Sequence, residues 1–127
     1  MSDTLVIQSH RDPLPFSWLQ RCLQSVRDWA QQQGFEYVYL NDELFDEVPQ
    51  SILDKVGRQS VIAADLARLF KLQYYLTEGY RSVVWCDADF LIFDPQRFIL
   101  ENGSYAVGRE VWIQHDRHGR LKAYRKV

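Results

Sequence analysis

Three short apolar runs alternate with two helix-length amphipathic stretches, and this alternation restricts the chain more than any other feature. "TLVIQSH", Thr4 to His10, reads as a buried strand. "FSWLQRCLQSVRDWAQQQG" follows, with Trp18, Leu19, Cys22, Leu23, Val26, Trp29 and Ala30 recurring at three- and four-residue steps. That is a helix, with Ser17 expected as its cap and Gly34 as its end. "FEYVYL" has the β-branched and aromatic content of a second strand. "SVIAADLARLFKLQYYLTEG" is a second helix closed by Gly79, and "RSVVWCDAD" a third strand. Strand, helix, strand, helix, strand predicts an α/β fold with a mostly parallel sheet and right-handed crossovers. In such sheets ligands gather beyond the carboxyl ends of the strands.

The remaining segments are read as connections. "RDPLP" breaks regular structure, and "NDELFDEVPQ" is expected to be an acidic loop. "FLIF" after the third strand is expected to continue in the sheet layer. "GSYAVGRE" is read as a strand, and "VWIQ" to "LKAY" as a C-terminal β-hairpin turning near His118-Gly119.

At 127 residues the chain suits one domain, residues 1–127, with a core of its own. A net charge of −2 at pH 7 and the lack of a basic stripe argue against nucleic acid as a partner. The locally basic "RHGRLKAYRKV" is read as a solvated terminal hairpin rather than a phosphate- or lipid-binding tail. Cys22 and Cys86 stand 64 residues apart, which matches no metal or redox spacing. Both are expected to be buried thiols in a reducing compartment. The start "MSDTLVIQSH" lacks the pattern of a signal peptide, and no apolar run is long enough to span a bilayer. The expected location is cytoplasmic.

Chemistry concentrates in "RSVVWCDADFLIFDP", Arg81 to Pro95. Asp87 and Asp89 close an apolar strand with only Ala88 between them. Two carboxylates held close repel and need compensation. If the backbone bends at Ala88, both can converge on one hard cation, Mg²⁺ or Mn²⁺. Mg²⁺ is commonly held by one or two carboxylates plus substrate phosphates, so a two-acid site predicts a phosphorylated ligand. In the preceding helix, Ile62, Leu66, Leu69 and Leu76 are expected to form the buried stripe. At about 100° per residue Asp65 then falls on the margin of that stripe, partly buried, with Arg68 within reach. The pair is either a surface ion pair or part of the site, with Arg68 pointing toward the end of the third strand.

"ADLARLFKLQYYLTEGYRSVVWCDADFLIFDP", Ala64 to Pro95, resembles the central signature of GT-A-type glycosyltransferases with a DXD motif. In those families a helix bearing Ser/Ala-Asp-x-x-Arg leads into a strand ending Asp-x-Asp. The resemblance implies a Rossmann-like sheet and transfer of a sugar from a nucleotide-diphosphate sugar to an acceptor. It implies that Asp87 and Asp89 hold Mn²⁺ or Mg²⁺ against the diphosphate, with Asp87 also near the ribose and sugar. Asp65 and Arg68 would contact the donor sugar and diphosphate. Gln8 and Ser9 would lie where base and ribose are held. The loop "TEGYRS" stands where many such families carry Gly-Gly.

Family members usually continue for another hundred or more residues, which supply the acceptor pocket and commonly a third metal ligand. The resemblance therefore implies the N-terminal, donor-binding part of such an enzyme, with weak donor binding and a homodimer through an exposed apolar patch. "IQHDRHGR", with His115, Asp116 and His118, is read as a polar hairpin turn rather than a substitute ligand set. Two other readings stay open. One is a nucleotide- and metal-binding half-domain without turnover. The other is a haloacid-dehalogenase-like phosphatase, ranked lower because its Asp-x-Asp normally follows the first strand and is succeeded by Thr or Gly.

Overall fold

The computed structural model describes residues 2–57, 60–101, 103–108 and 110–126. The chain forms two compact units, Met1–Arg97 and Phe98–Val127.

The first unit is α/β. Strands β1 (Thr4–Ser9), β2 (Glu36–Leu40) and β3 (Ser82–Trp85) form a parallel sheet in the order β2-β1-β3. Ile7 in the central strand pairs with Val38 on one side and Trp85 on the other. Helices α1 (Ser17–Gln33), α2 (Gln50–Val56) and α3 (Ser60–Thr77) connect the strands, with a 3-10 turn at Asp42–Phe45.

Side chains alternate across a strand, so each strand serves two layers. Leu5, Ile7, Val38, Leu40, Val83 and Trp85 pack with Leu44, Val48 and Ala67 on one face. Val6 and Gln8, pointing the other way, are fully buried, as are Val26, Trp29 and Ala30 of α1. Complete burial of an apolar side chain such as Val6 or Val26 contributes about 1.5–3 kcal/mol. Gly34 ends α1 at φ 72°, a left-handed conformation that costs other residues more. There the Phe35 N–H bonds the Ala30 carbonyl at 2.9 Å.

Several expectations are corrected. Ser17 does not cap α1. Phe16 occupies the cap position in extended conformation and makes no side-chain cap bond, and Ser17 is the first helical residue. Trp18 is exposed, stacking on Phe16 at 5.7 Å instead of entering the core. The acidic loop carries the 3-10 turn and leads into α2. Its Leu44 and Val48 are buried, so the apolar residues between the acids act as core anchors.

The buried face of α3 is also not the expected one. Ala63, Ala67 and Lys71 turn inward, while Ile62, Leu69 and Leu76 are 50, 61 and 49% exposed. Small alanines let the helix approach the sheet closely. Lys71 is tolerated there because Glu47, from the segment before α2, pairs with it at 2.8 Å. Beyond β3, "FLIF" leaves the sheet: Ile92 is buried, while Phe90, Leu91 and Phe93 are exposed. Ile92 is held to α1 through its N–H, which donates to Ser25 Oγ at 3.0 Å.

In the second unit β4 (Glu110–His115) and β5 (Leu121–Lys126) pair antiparallel, with Trp112 opposite Tyr124. Asp116 organises the turn, its Oδ1 accepting the N–H groups of His118 at 2.8 Å and Arg120 at 2.9 Å. Gly119 supplies the positive φ of 76°. The stretch 103–108, expected as a strand, has no strand pairing; Arg109 lies outside the described residues, and Glu110 opens β4. Among the described residues no helix is long and apolar enough to cross a membrane.

Candidate functional site

The carboxyl ends of β1 and β3 lie side by side because the two strands pair in parallel through Ile7 and Trp85. The ladder extends one bond further, from the Cys86 N–H to the Ile7 carbonyl at 3.1 Å. The chain then turns sharply, and the Phe90 N–H closes on the Asp87 carbonyl at 3.0 Å. Asp87 and Asp89 therefore sit on one tight turn around Ala88, just past the strand, and both are exposed.

Gln8 positions this turn from below. It is fully buried, yet every polar end of its amide is used. Its Nε2 donates to the Asp87 carbonyl at 3.3 Å, and its Oε1 accepts from the Tyr37 hydroxyl at 2.8 Å. A buried polar side chain without such partners would destabilise the fold. Burial pushes the Tyr37 phenol up to about 12, partly opposed by Arg27, whose guanidinium lies 5.0 Å from the ring centre. Tyr37 therefore remains a proton donor to Gln8 at physiological pH. Ser9 faces β2 instead, donating from Oγ to the Leu40 carbonyl at 2.8 Å.

From the other side comes Arg68, on the third turn of α3. Its Nη2 is 2.7 Å from Asp65 Oδ1 and its Nη1 is 3.8 Å from Asp87 Oδ1. The same Asp87 oxygen accepts from Trp85 Nε1 at 2.8 Å, and the guanidinium lies 5.2 Å from the Trp85 ring centre. Arg68 Nε is shielded from solvent and has no hydrogen-bond partner among the described residues. Arg68 thus bridges two acids from different elements and retains donor capacity. The expected direction of Arg68 is met, but Asp65 is exposed, its side chain 63% accessible, because the buried face of α3 lies elsewhere.

Sequence reasoning missed Trp85 and Tyr37. Trp85 carried a signal, since it stands two residues before Asp87 and so on the same face of an extended chain, whereas Tyr37 meets Gln8 only through the pairing of β2 with β1. Cys86, between Trp85 and Asp87, is buried, and its thiol is pushed up to about 12 by burial and then by the Asp87 charge. It is a packing residue, not a nucleophile.

The donor set suits a hard cation that completes its shell elsewhere. Asp87 contributes one oxygen free of the Trp85 and Arg68 contacts, and the Asp89 carboxylate has no hydrogen bond or ion pair among the described residues. Among those residues no cluster of three or more His, Cys, Asp or Glu side chains occurs. His115, Asp116 and His118 make a hairpin turn. A cation at the acid pair would take its remaining ligands from water or a phosphorylated ligand.

A cleft of about 390 Å³ lies between α1 and β2, lined by Asp12, Leu14, Gln24, Arg27, Tyr37 and Tyr39 among others. Tyr37 connects it to the acids through Gln8. A larger cleft, about 620 Å³, lies between α1 and the Leu91–Pro95 segment and is lined by none of the site residues. Compared with protein-family models, with curated proteins and with solved structures, the chain has no match.

Proposed function

We propose that this chain is the donor-binding part of a metal-dependent glycosyltransferase of the GT-A type, built on a Rossmann-like sheet and using a nucleotide-diphosphate sugar. The observation that carries the reading is the Asp65–Arg68–Asp87 bridge at the carboxyl ends of β1 and β3, where an α/β sheet gathers its ligands. The resemblance of Ala64–Pro95 to the DXD signature points to the same residues.

In this reading Asp87 and Asp89 hold Mn²⁺ or Mg²⁺ and Arg68 faces the diphosphate. Its planar guanidinium suits phosphate oxygens, and its partly engaged Nη groups supply the donors. Asp65 orients Arg68 and accepts from sugar hydroxyls with its second oxygen. Gln8 fixes the height of the Asp87 turn relative to β1, and Trp85 and Arg68 hold the Asp87 carboxylate before a ligand arrives. The bound cation supplies neutralisation of charge growing on the departing diphosphate. The phosphatase alternative is disfavoured by chain order, since the Asp-x-Asp here follows the third strand and is succeeded by Phe90-Leu91.

The test is a thermal-shift titration with nucleoside diphosphates, with and without Mn²⁺. Together the two should stabilise the chain more than the sum of each alone, because phosphate oxygens complete the cation's shell. Asp87→Asn and Asp89→Asn should each abolish that synergy while retaining the unliganded melting temperature. Synergy that survives both substitutions would place the cation elsewhere. Turnover of a nucleotide sugar, measured in parallel, separates a transferase from a binding module.

A further inference from the structure

Trp85 touches both charged partners of the acid turn at once. It shares a face of β3 with Val83, and both pack against the core cluster that includes Ala67 of α3. Its ring centre lies 5.2 Å from Arg68 Cζ, and its edge donates from Nε1 to Asp87 Oδ1 at 2.8 Å. Pinned between the core and Arg68, the indole has little freedom left to lose in making that bond. Asp87 Oδ1 also stands 3.8 Å from the guanidinium, while Oδ2 has neither contact. A metal cation beside Oδ1 would meet the positive guanidinium as well, and like charges repel.

We infer that Trp85 is a positioning residue: its indole N–H commits Oδ1 of Asp87 to the protein, so that Asp87 offers a cation Oδ2 alone. The inference rests on the proposed cation site at Asp87 and Asp89 and adds to it a choice among cations. Mg²⁺ and Mn²⁺ demand a compact octahedral shell, whereas Ca²⁺ takes a larger, looser one and accepts a carboxylate through both oxygens. An Asp87 limited to one oxygen favours the smaller ions, and Trp85 keeps it so limited. Without the indole N–H, the contact left on Oδ1 is the one at 3.8 Å, too long for a hydrogen bond, and the carboxylate is free to turn. Phe in place of Trp85 keeps an aromatic face for Arg68 and loses the N–H.

Nuclear magnetic resonance on the isotope-labelled chain tests this, with the chlorides of Mn²⁺ and Ca²⁺ as probes. Four tryptophans give four indole N–H signals, and Trp85→Phe identifies the one from Trp85. Asp87→Asn should shift that signal, because its charged acceptor becomes neutral, and Asp89→Asn should leave it in place. Paramagnetic Mn²⁺ should broaden the Ala88 amide signal of the parent chain, and Ca²⁺ should restore it only in large excess. In Trp85→Phe, Ca²⁺ should displace Mn²⁺ at about tenfold lower concentration, with an unchanged circular dichroism spectrum. That ratio is a readout that loss of packing alone would not move. A Trp85 signal indifferent to Asp87→Asn, or an unchanged ratio in Trp85→Phe, would overturn the inference and leave the cation site standing. An Ala88 signal that Mn²⁺ does not broaden in the parent chain would remove the cation site, and this inference with it.

Discussion

The side-chain amide of Gln8 holds the backbone carbonyl of Asp87 at 3.3 Å, across 79 residues of sequence. One buried glutamine thereby sets where the acid turn stands relative to the central strand, and through Tyr37 it ties that turn to β2 as well.

Gln8→Leu keeps the approximate volume but removes both bonds. The Tyr37 hydroxyl and Asp87 carbonyl lose a partner, and the expected cost is about 1–3 kcal/mol. Urea denaturation checks it: the midpoint should fall with an unchanged slope. In the thermal-shift assay, Mn²⁺ with a nucleoside diphosphate should stabilise this variant less than the parent chain.

Lys71 and Glu47 form the one buried ion pair among the described residues, at 2.8 Å, with Lys71 also against the Tyr74 and Tyr75 rings. Lys71→Met strands Glu47 and should cost about 3 kcal/mol or more, as removing one member of a buried pair does. Lys71→Met combined with Glu47→Leu should recover much of that loss. A double-mutant cycle by denaturation measures the coupling.

Tyr37 has its phenol raised from 10.0 to about 12, chiefly by burial. The folded chain therefore holds this proton after the unfolded chain has released it. Its contribution to stability is complete below pH 10 and is lost as the pH rises toward 12, with a slope approaching 1.4 kcal/mol per pH unit. Unfolding free energies across that window should fall more steeply for the parent chain than for Tyr37→Phe.

Asp116→Ala removes the acceptor for two turn N–H groups in a two-stranded hairpin, a structure with little stability of its own. Amide hydrogen exchange in β4 and β5 should accelerate by roughly tenfold, the effect of about 1.4 kcal/mol of lost local stability. Asp116→Asn, which retains an acceptor oxygen, should restore most of the protection.

Periodicity along the chain was enough to locate β1, α1, β2, α3 and β3, because each segment repeats its apolar residues at a helical or a strand step. Local spacing also set Asp65 within reach of Arg68 and put Asp87 and Asp89 just past β3, while the grouping of the two pairs rested on the resemblance of Ala64–Pro95 to the DXD signature. What it could not decide was which of two apolar faces of α3 meets the sheet. Ile62, Leu69 and Leu76 make the stronger stripe, yet Ala63, Ala67 and Lys71 are inside. The sheet selects small residues for close approach, and Glu47 supplies the charge that lets Lys71 enter. Likewise, nothing adjacent to Gln8 marks it as the support of the acid turn. Its partners, Tyr37 and Asp87, are 29 and 79 residues away and meet it only when β2 and β3 flank β1. Local spacing shapes single elements. Burial and long-range pairing depend on what the other elements bring, and only the assembled sheet decides that.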